Sequence, residues 1–270
     1  MQFKARIKNL ALRHRVSAQA VLQNFMLERL LERISISQYR DAFILKGGML
    51  VASLVGIDHR TTMDMDTTLR GYPLSEELLR AALLDICHIE LDDETTFTVN
   101  QITAIRDDEY GGYRVSITAM YESINTPLKV DVTTGDRITP DAVRYAFQSN
   151  FEDKTIEVWA YNIETVLAEK VETILRRSVF NTRFRDFYDV YIIMTTQQQA
   201  MNMETFYEAL SATSQKRASL AAFRDSRNIL ASIGSDTSMK QGWERYRKQN
   251  RYAEEVKFDK VLQILADVLK

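Results

Sequence analysis

The stretch of residues 43–71 constrains the fold of this chain more than any other part of the sequence. Three apolar residues lead into Lys46, Gly47 and Gly48, and an apolar segment long enough for two helical turns follows. This order predicts an extended element, a glycine turn and the start of a helix. A glycine pair is most often a simple turn. Before a helix, however, Gly47 and Gly48 also suit a phosphate, because glycine adopts positive φ and the helix N-terminus offers unpaired N–H groups.

The segment that follows alternates apolar and acidic residues. Residues 63–67 read Met-Asp-Met-Asp-Thr, so a strand here presents Asp64 and Asp66 on the same face. Two neighbouring carboxylates repel each other unless a cation lies between them. Mg²⁺, or Mn²⁺ in its place, fits this requirement because Mg²⁺ takes oxygen ligands and binds carboxylates together with substrate phosphates.

The two features together resemble a known signature. The pattern of Gly47-Gly48 followed by Arg60-x-Thr62-x-Asp64-x-Asp66 is similar to polymerase-β-like nucleotidyltransferases, and in particular to the AbiEii/AbiGii-type toxins, which carry "LKGG" before "R-x-T-x-D-x-D". The resemblance implies an α+β fold: a polymerase-β-like nucleotidyltransferase core with a mixed α/β sheet, a helical N-terminal extension and a helical C-terminal region. It also implies that the LKGG element, Lys46, Gly47 and Gly48, binds the nucleotide.

The composition is that of an ordinary globular protein. Of 270 residues, 45% are hydrophobic and 27% are charged, and no apolar run reaches the length of a membrane span. The first residues contain no hydrophobic leader region. We therefore expect a cytoplasmic protein without a membrane partner.

Hydrophobic periodicity divides the chain into two parts. Helical patterns cover residues 17–34, 75–91 and about 162–178, with Ser17, Ser75 and Asn162 as candidate N-caps. Period-two segments cover residues 95–105, 112–121 and 127–134, with a turn at residues 125–127, and predict an antiparallel extension of the sheet. We expect a nucleotidyltransferase core with the N-terminal helix over residues 1–160. A helical domain over residues 161–270, with three or four helices after residue 200, is expected to complete the active site.

Asp131 lies between two valines in a strand-like segment, on the face predicted for Asp64 and Asp66. A single aspartate in a strand is more often an exposed edge residue. The family carries a "K-x-D" strand followed by a "G-D-x-h-T-P" turn, which residues 129–131 and 135–140 match. The resemblance thus implies that Asp64, Asp66 and Asp131 are catalytic metal ligands, since nucleotidyl transfer needs metal ions to neutralise the triphosphate and activate the attacking oxygen.

Lys170 falls within the apolar stripe of a predicted helix, four residues from Val166 and from Ile174. A buried ammonium group is costly unless an anion meets it, and the alternative is a lysine that extends along its stem to solvent. Residues 168–170 match the "A-E-K" helix of the family. The resemblance implies that Lys170 is catalytic and holds the triphosphate.

The last motif, "R-x-K-D-x-x-D", covers residues 183–189. Arg185 stands where the family usually has lysine, which keeps the charge but changes the hydrogen-bonding geometry. The resemblance assigns nucleotide binding to Arg185 and Asp189 and catalysis to Asp186. Which of the two aspartates is the functional carboxylate, and which contacts Lys170, stays open. The alternative is an acidic pair that favours the helix dipole.

Positive charge is concentrated at the two ends of the chain although the net charge is −2. Residues 1–33 carry seven Lys/Arg against two Glu, and residues 214–257 carry ten Lys/Arg against five Asp/Glu. Both regions are either solvated faces or contacts for RNA. The same alternatives hold for the aromatic and arginine residues between residues 243 and 252.

The resemblance implies a bacterial toxin of a type IV-like toxin–antitoxin system that acts in abortive infection and phage defence. It would transfer a nucleotide from an NTP to an RNA acceptor, the 3′ end of tRNA, and a cognate AbiEi-type antitoxin would counter it. Two alternatives are nucleotidylation of a protein target and a non-catalytic nucleotide-binding module on the same fold.

Overall fold

The computed structural model describes residues 2–14, 16–105 and 111–270. The chain forms two compact units. The first comprises residues 1–136 and 142–161, and the second comprises residues 137–141 and 162–270. Each unit is built from its own elements.

Within the described residues, the first unit holds a seven-stranded mixed sheet. Its strands are β1 (Phe43–Lys46), β2 (Asp64–Leu69), β3 (Thr95–Ile105), β4 (Gly112–Tyr121), β5 (Ile124–Thr134), β6 (Val143–Gln148) and β7 (Thr155–Ala160). Its helices are α1 (Gln2–His14), α2 (Ala18–Ile36), α3 (Gly47–Val55) and α4 (Glu76–Cys87). The strand order is β3-β4-β5-β2-β1-β7-β6. The mixed α/β fold predicted from the sequence is confirmed.

The sheet combines an antiparallel meander with parallel central pairs. Strands β3, β4 and β5 pair antiparallel, as predicted. The meander joins the central strands in parallel, however, because β5 runs parallel to β2. Strand β1 pairs antiparallel with β2 and parallel with β7. The glycine motif at the end of β1 and the acidic strand β2 therefore lie side by side at the centre of the sheet.

Strands β6 and β7 were not predicted from the sequence. In β7 the residues Ile156, Val158 and Ala160 are buried and alternate with less buried residues, so the period-two signal of a strand is present. The segment is short, and its neighbour β1 lies more than 100 positions earlier in the chain, so its partner cannot be identified from local pattern.

The turn predicted at residues 125–127 is wrong. These residues lie inside β5, and the chain reverses just before Ile124, where Glu122 has a φ of 49°. Pro127 is tolerated because it precedes Lys129, the residue at which pairing with β2 begins. A proline lacks the N–H group of a sheet ladder, and this part of β5 has no β2 partner to leave unsatisfied.

Local capping signals place the helix starts correctly. The side chains of Ser17 and Ser75 accept hydrogen bonds from Ala20 and Leu78 at the starts of α2 and α4. Helix α2 packs against α4, β5 and β7, and most of its residues are buried. Helix α4 ends at Cys87, four residues before the predicted end.

The second unit is helical. Its helices are α5 (Ile163–Arg177), α6 (Phe184–Thr196), α7 (Met203–Lys216), α8 (Leu220–Arg224), α9 (Ser226–Ser235), α10 (Thr237–Gln249) and α11 (Phe258–Val268). Asn162 caps α5 by accepting a hydrogen bond from Thr165 N at 2.8 Å, as predicted. Residues 200–270, all of which are described, form five α-helices instead of three or four. In the described part of the chain, no helix is long and apolar enough to cross a membrane.

Candidate functional site

Four charged residues line up across adjacent strands of the first unit. Lys46 of β1 is opposite Asp66 of β2, Asp66 is opposite Asp131 of β5, and Asp131 is opposite Arg114 of β4. Directly opposed residues point to the same face of a sheet. We call Lys46, Asp66, Asp131 and Arg114 the charged row. Asp64 lies on the same face, two residues before Asp66.

The opposite face at this level is apolar. Met65, Val130 and Val115 are opposed across β2, β5 and β4, and all three are fully buried. A shift of one residue thus separates the core of the sheet from the charged row. The prediction that Asp64, Asp66 and Asp131 share a face is confirmed by the strand register.

The glycine pair packs directly against Asp66. Gly47 has a φ of +65°, and a Cβ at this position would lie 2.6 Å from Asp66 Cγ. The N–H group of Gly48 donates a hydrogen bond of 3.1 Å to Asp66 Oδ2. The pair forms the first turn of α3, with Lys46 as N-cap. The structure thus supplies a reason for the glycines beyond the predicted phosphate contact, which stays a prediction: they orient the Asp66 carboxylate.

Asp131 is held by Arg114. The guanidinium group donates two hydrogen bonds, from Nε to Oδ1 at 2.8 Å and from its terminal nitrogen to Oδ2 at 2.7 Å. The pKa of Arg114 is raised, first by the hydrogen bond and charge of Asp131 and further by the charges of Asp64 and Asp66. The sequence did not single out Arg114, because a lone arginine in a polar strand carries no motif and its partner depends on strand register.

Lys46 is engaged by a different carboxylate. Its ammonium group donates to Asp136 Oδ2 at 2.6 Å, and the Thr133 hydroxyl donates to the same oxygen at 2.6 Å. Burial would raise the pKa of Asp136, but the charge and hydrogen bonds of its partners outweigh burial, and the pKa is lowered to about 2. Lys46 therefore belongs to a buried ion pair, and its predicted contact with the nucleotide stays a prediction. Asp136 lies in the turn motif of residues 135–140 but was not predicted as a site residue.

The carboxylates of Asp64, Asp66 and Asp131 supply the hard oxygen donors that Mg²⁺ prefers. Among the described residues, however, no group of three or more His, Cys, Asp and Glu side chains is arranged to hold a metal ion. Both oxygens of Asp131 accept hydrogen bonds from Arg114. The donor chemistry therefore fits a metal, on the condition that Arg114 releases Asp131. The three-carboxylate metal site stays a prediction.

In the second unit, Lys170 of α5 contacts both candidate aspartates of α6. Its ammonium nitrogen lies 2.7 Å from Asp186 Oδ1 and 3.0 Å from Asp189 Oδ2. The exposed fraction of the side chain is 13% for Lys170, 3% for Asp186 and 0% for Asp189. Lys170 therefore does not extend to solvent, and it contacts both aspartates. Which of the two is the functional carboxylate stays open. The buried ammonium is stabilised by two carboxylates, so the cluster has a structural role beside the predicted roles in triphosphate binding and catalysis, which remain untested.

The arginines of the last motif divide between this cluster and solvent. Arg183, which was not predicted as a site residue, lies 3.3 Å from Asp186 Oδ2 through its Nε. Arg185 is exposed and makes no side-chain hydrogen bond or ion pair among the described residues. The nucleotide contacts of Arg185 and Asp189 stay predictions.

Two of the basic residues in residues 1–33 are structural. Arg29 pairs with Glu152 at 3.0 Å, and Arg33 pairs with Asp93 at 2.7 Å. Both arginine side chains are almost completely buried. Because these guanidinium groups are shielded from solvent, neither contributes to a surface that could contact RNA.

The basic region of residues 214–257 is also partly structural. Arg217 bonds to two glutamates of α5 at 2.7 and 2.8 Å, and the guanidinium group of Arg247 donates to the backbone oxygen of Glu254. Arg245 and Arg251 are exposed. Of the aromatic residues, Trp243 is fully buried and donates to a backbone oxygen at 3.0 Å, so it belongs to the core and not to an RNA-facing surface.

Comparisons with known proteins agree with these features. The sequence profile of the family described as "Nucleotidyl transferase AbiEii toxin, Type IV TA system" matches residues 29–264. No curated protein matches the chain at a significant level. The protein is similar in structure to MenT4, a nucleotidyltransferase toxin from Mycobacterium tuberculosis, with a TM-score of 0.57 and 15% identity over 98% of this chain and 97% of that one. It is also similar to JHP933 from Helicobacter pylori, with a TM-score of 0.54 and 12% identity over 94% of this chain and 91% of that one. At these identities the structures support the nucleotidyltransferase fold.

Proposed function

The chain belongs to the AbiEii family of nucleotidyl transferase toxins of type IV toxin–antitoxin systems, and from this premise we propose that it transfers a nucleotide from an NTP to RNA in a Mg²⁺-dependent reaction. The proposed acceptor is the 3′ end of tRNA. The acceptor hydroxyl oxygen forms a bond to the α-phosphorus of the NTP. The bond from that phosphorus to the oxygen that bridges the α- and β-phosphates breaks. Pyrophosphate leaves with the electron pair, and the hydroxyl proton passes to a base.

One observation carries the proposal: Asp66 and Asp131 are opposed on neighbouring parallel strands, and Asp64 lies on the same face. Mg²⁺, when bound, neutralises charge on the triphosphate and lowers the pKa of the attacking hydroxyl. The protein's own contribution is to orient the carboxylates. Asp66 is oriented by the Gly48 N–H group, and the close approach of Gly47 keeps this carboxylate beside the start of α3.

The test is a label-transfer assay. The purified protein is incubated with each α-³²P-labelled NTP, total RNA and Mg²⁺, and the products are separated by gel electrophoresis. We expect label in a tRNA-sized band, loss of this label with EDTA and its return with added Mg²⁺. Asp66→Asn should abolish transfer, because it removes a metal-binding charge, while circular dichroism shows a retained fold.

Two outcomes favour the alternatives. Label on a protein but not on RNA would identify a protein nucleotidyltransferase, for which the exposed basic residues are incidental. NTP binding without transfer to either class would identify a nucleotide-binding module. Full activity of Asp66→Asn would contradict the metal assignment.

Membership of a type IV toxin–antitoxin family implies an antitoxin partner. We propose that this partner is an AbiEi-type antitoxin, that the protein acts in the cytoplasm and that the pair acts in phage defence. Expression of the protein alone should arrest growth, and co-expression of the AbiEi-type partner should restore growth. The Asp66→Asn variant should be harmless without the partner. Growth arrest by this inactive variant would show that toxicity has another origin.

A further inference from the structure

The ion pairs of the predicted site residues differ in how much solvent reaches them. The Lys46–Asp136 pair and the contacts of Lys170 are nearly buried. In the Arg114–Asp131 pair, by contrast, the exposed fraction is 55% for the arginine side chain and 20% for the aspartate side chain. Because water can hydrate the arginine and the aspartate when this exposed pair separates, the pair can open without unfolding the sheet. Arg114–Asp131 is therefore the pair best suited to exchange one partner for another.

Arg114 also lies where a cation is needed. Asp66 and Asp131 are directly opposed, and Asp64 lies on the same face, where its charge helps to raise the pKa of Arg114. Three carboxylates so placed repel each other unless positive charge is present. The guanidinium group supplies that charge and uses both oxygens of Asp131 as acceptors. It thereby occupies the same oxygens that a metal ion would need.

We propose that Arg114 is a positioning residue that competes with the divalent metal ion for Asp131. The inference rests on the proposed function and concerns how the same site is regulated. Without metal, Arg114 neutralises the charged row and keeps Asp131 unavailable. Binding of the metal requires Arg114 to leave Asp131, so the arginine weakens the affinity of the free protein for metal. The metal-bound state is then favoured only when a further source of binding energy is present.

The competition predicts a gain in metal affinity when Arg114 loses its charge. The probe is Mn²⁺ alone, without nucleotide, and its free concentration is followed by electron paramagnetic resonance. Arg114→Gln should bind Mn²⁺ about two- to fivefold more tightly than the parent, the range expected from removing a competing exposed ion pair. Arg114→Lys keeps the charge but loses the two-point contact, so its affinity should be intermediate.

A matched control is available on the same sheet. Arg144 of β6 is similarly exposed, at 50%, and pairs with Asp41 at 3.2 Å. It takes no part in the charged row, so Arg144→Gln should leave Mn²⁺ affinity unchanged. A general loss of positive charge would instead raise the affinity of both glutamine variants equally, and that result would overturn the proposal.

Binding of Mn²⁺ to the carboxylates and competition by Arg114 are distinguished by different variants. If the parent binds Mn²⁺ and Asp66→Asn abolishes this binding, the metal site stands. In that case, equal or weaker Mn²⁺ affinity in both Arg114 variants overturns the competition alone and leaves Arg114 a structural residue. If no variant binds Mn²⁺ in a manner that depends on Asp66, the metal site of the proposed function falls and the competition falls with it. Thermal unfolding in metal-free buffer confirms that each variant is folded.

Discussion

Replacement of Gly47 by alanine tests whether the glycine pair orients the carboxylate of Asp66, the residue that we propose binds the metal. Gly47 has a φ of +65°, a conformation that costs a non-glycine residue about 1–2 kcal/mol. The new Cβ would also lie 2.6 Å from Asp66 Cγ and 2.7 Å from Asp66 Cβ. Carbon atoms in contact are ordinarily about 3.5–4.0 Å apart, so Asp66 must move by about 1 Å.

The displacement breaks a second interaction. The Gly48 N–H group donates to the Asp66 carboxylate at 3.1 Å, and a hydrogen bond to a charged group is worth about 1.5–3 kcal/mol. We therefore expect Gly47→Ala to lose about 3–5 kcal/mol of stability in all. A catalytic group misplaced by about 1 Å also costs about a hundredfold in rate, so nucleotide transfer should fall by that factor.

Gly71 provides the matched control. It also has a φ of +65°, but a Cβ there meets nothing within 4 Å. Gly71→Ala should lower the free energy of unfolding only by the conformational cost of about 1–2 kcal/mol, and it should keep full activity. Urea denaturation measures the stabilities and the label-transfer assay measures the rates. Equal losses of stability in the two variants, or full transfer activity in Gly47→Ala, would refute the role of Gly47 in orienting Asp66.

Three further predictions concern charges. Lys170→Met should lower the free energy of unfolding by about 3–5 kcal/mol in urea denaturation, because it removes the ammonium group that contacts two buried carboxylates, although the exposed Arg183 still lies beside Asp186. An unchanged midpoint would show that the ion pair is not structural. Asp136, whose pKa falls from 3.8 to about 2 on folding, should contribute about 2 kcal/mol that is complete above pH 4 and lost as the pH falls from about 4 to 2. Acid unfolding of Asp136→Asn should lack this component, and an unaltered acid profile would contradict it. Neutralising Arg245 and Arg251 together should make the fall of log affinity for tRNA with log salt concentration less steep, by about 1.4 in the slope. NTP binding should stay unchanged. An unaltered slope would show that both arginines belong to a solvated face.

Some features of this protein follow from local sequence alone. The helix starts after Ser17, Ser75 and Asn162 were predicted from residues that lie within one turn of the groups they cap. The alternation of acidic and apolar residues predicted that Asp64 and Asp66 share a face, because side chains alternate along any strand. Family membership also followed from sequence, since its motifs depend on residue order and spacing.

Other features were decided only by tertiary structure. Arg114 meets Asp131 because the register of β4 and β5 places them opposite each other, and a shift of one residue would send either side chain to the other face. Lys170 meets both Asp186 and Asp189 because α5 packs against α6. Charged groups that are distant in sequence become partners only when their helices or strands pack together. The hydrophobic periodicity and the capping residues of a single element do not determine that packing. The sequence could therefore predict which carboxylates share a face of the sheet, but not which cations contact them.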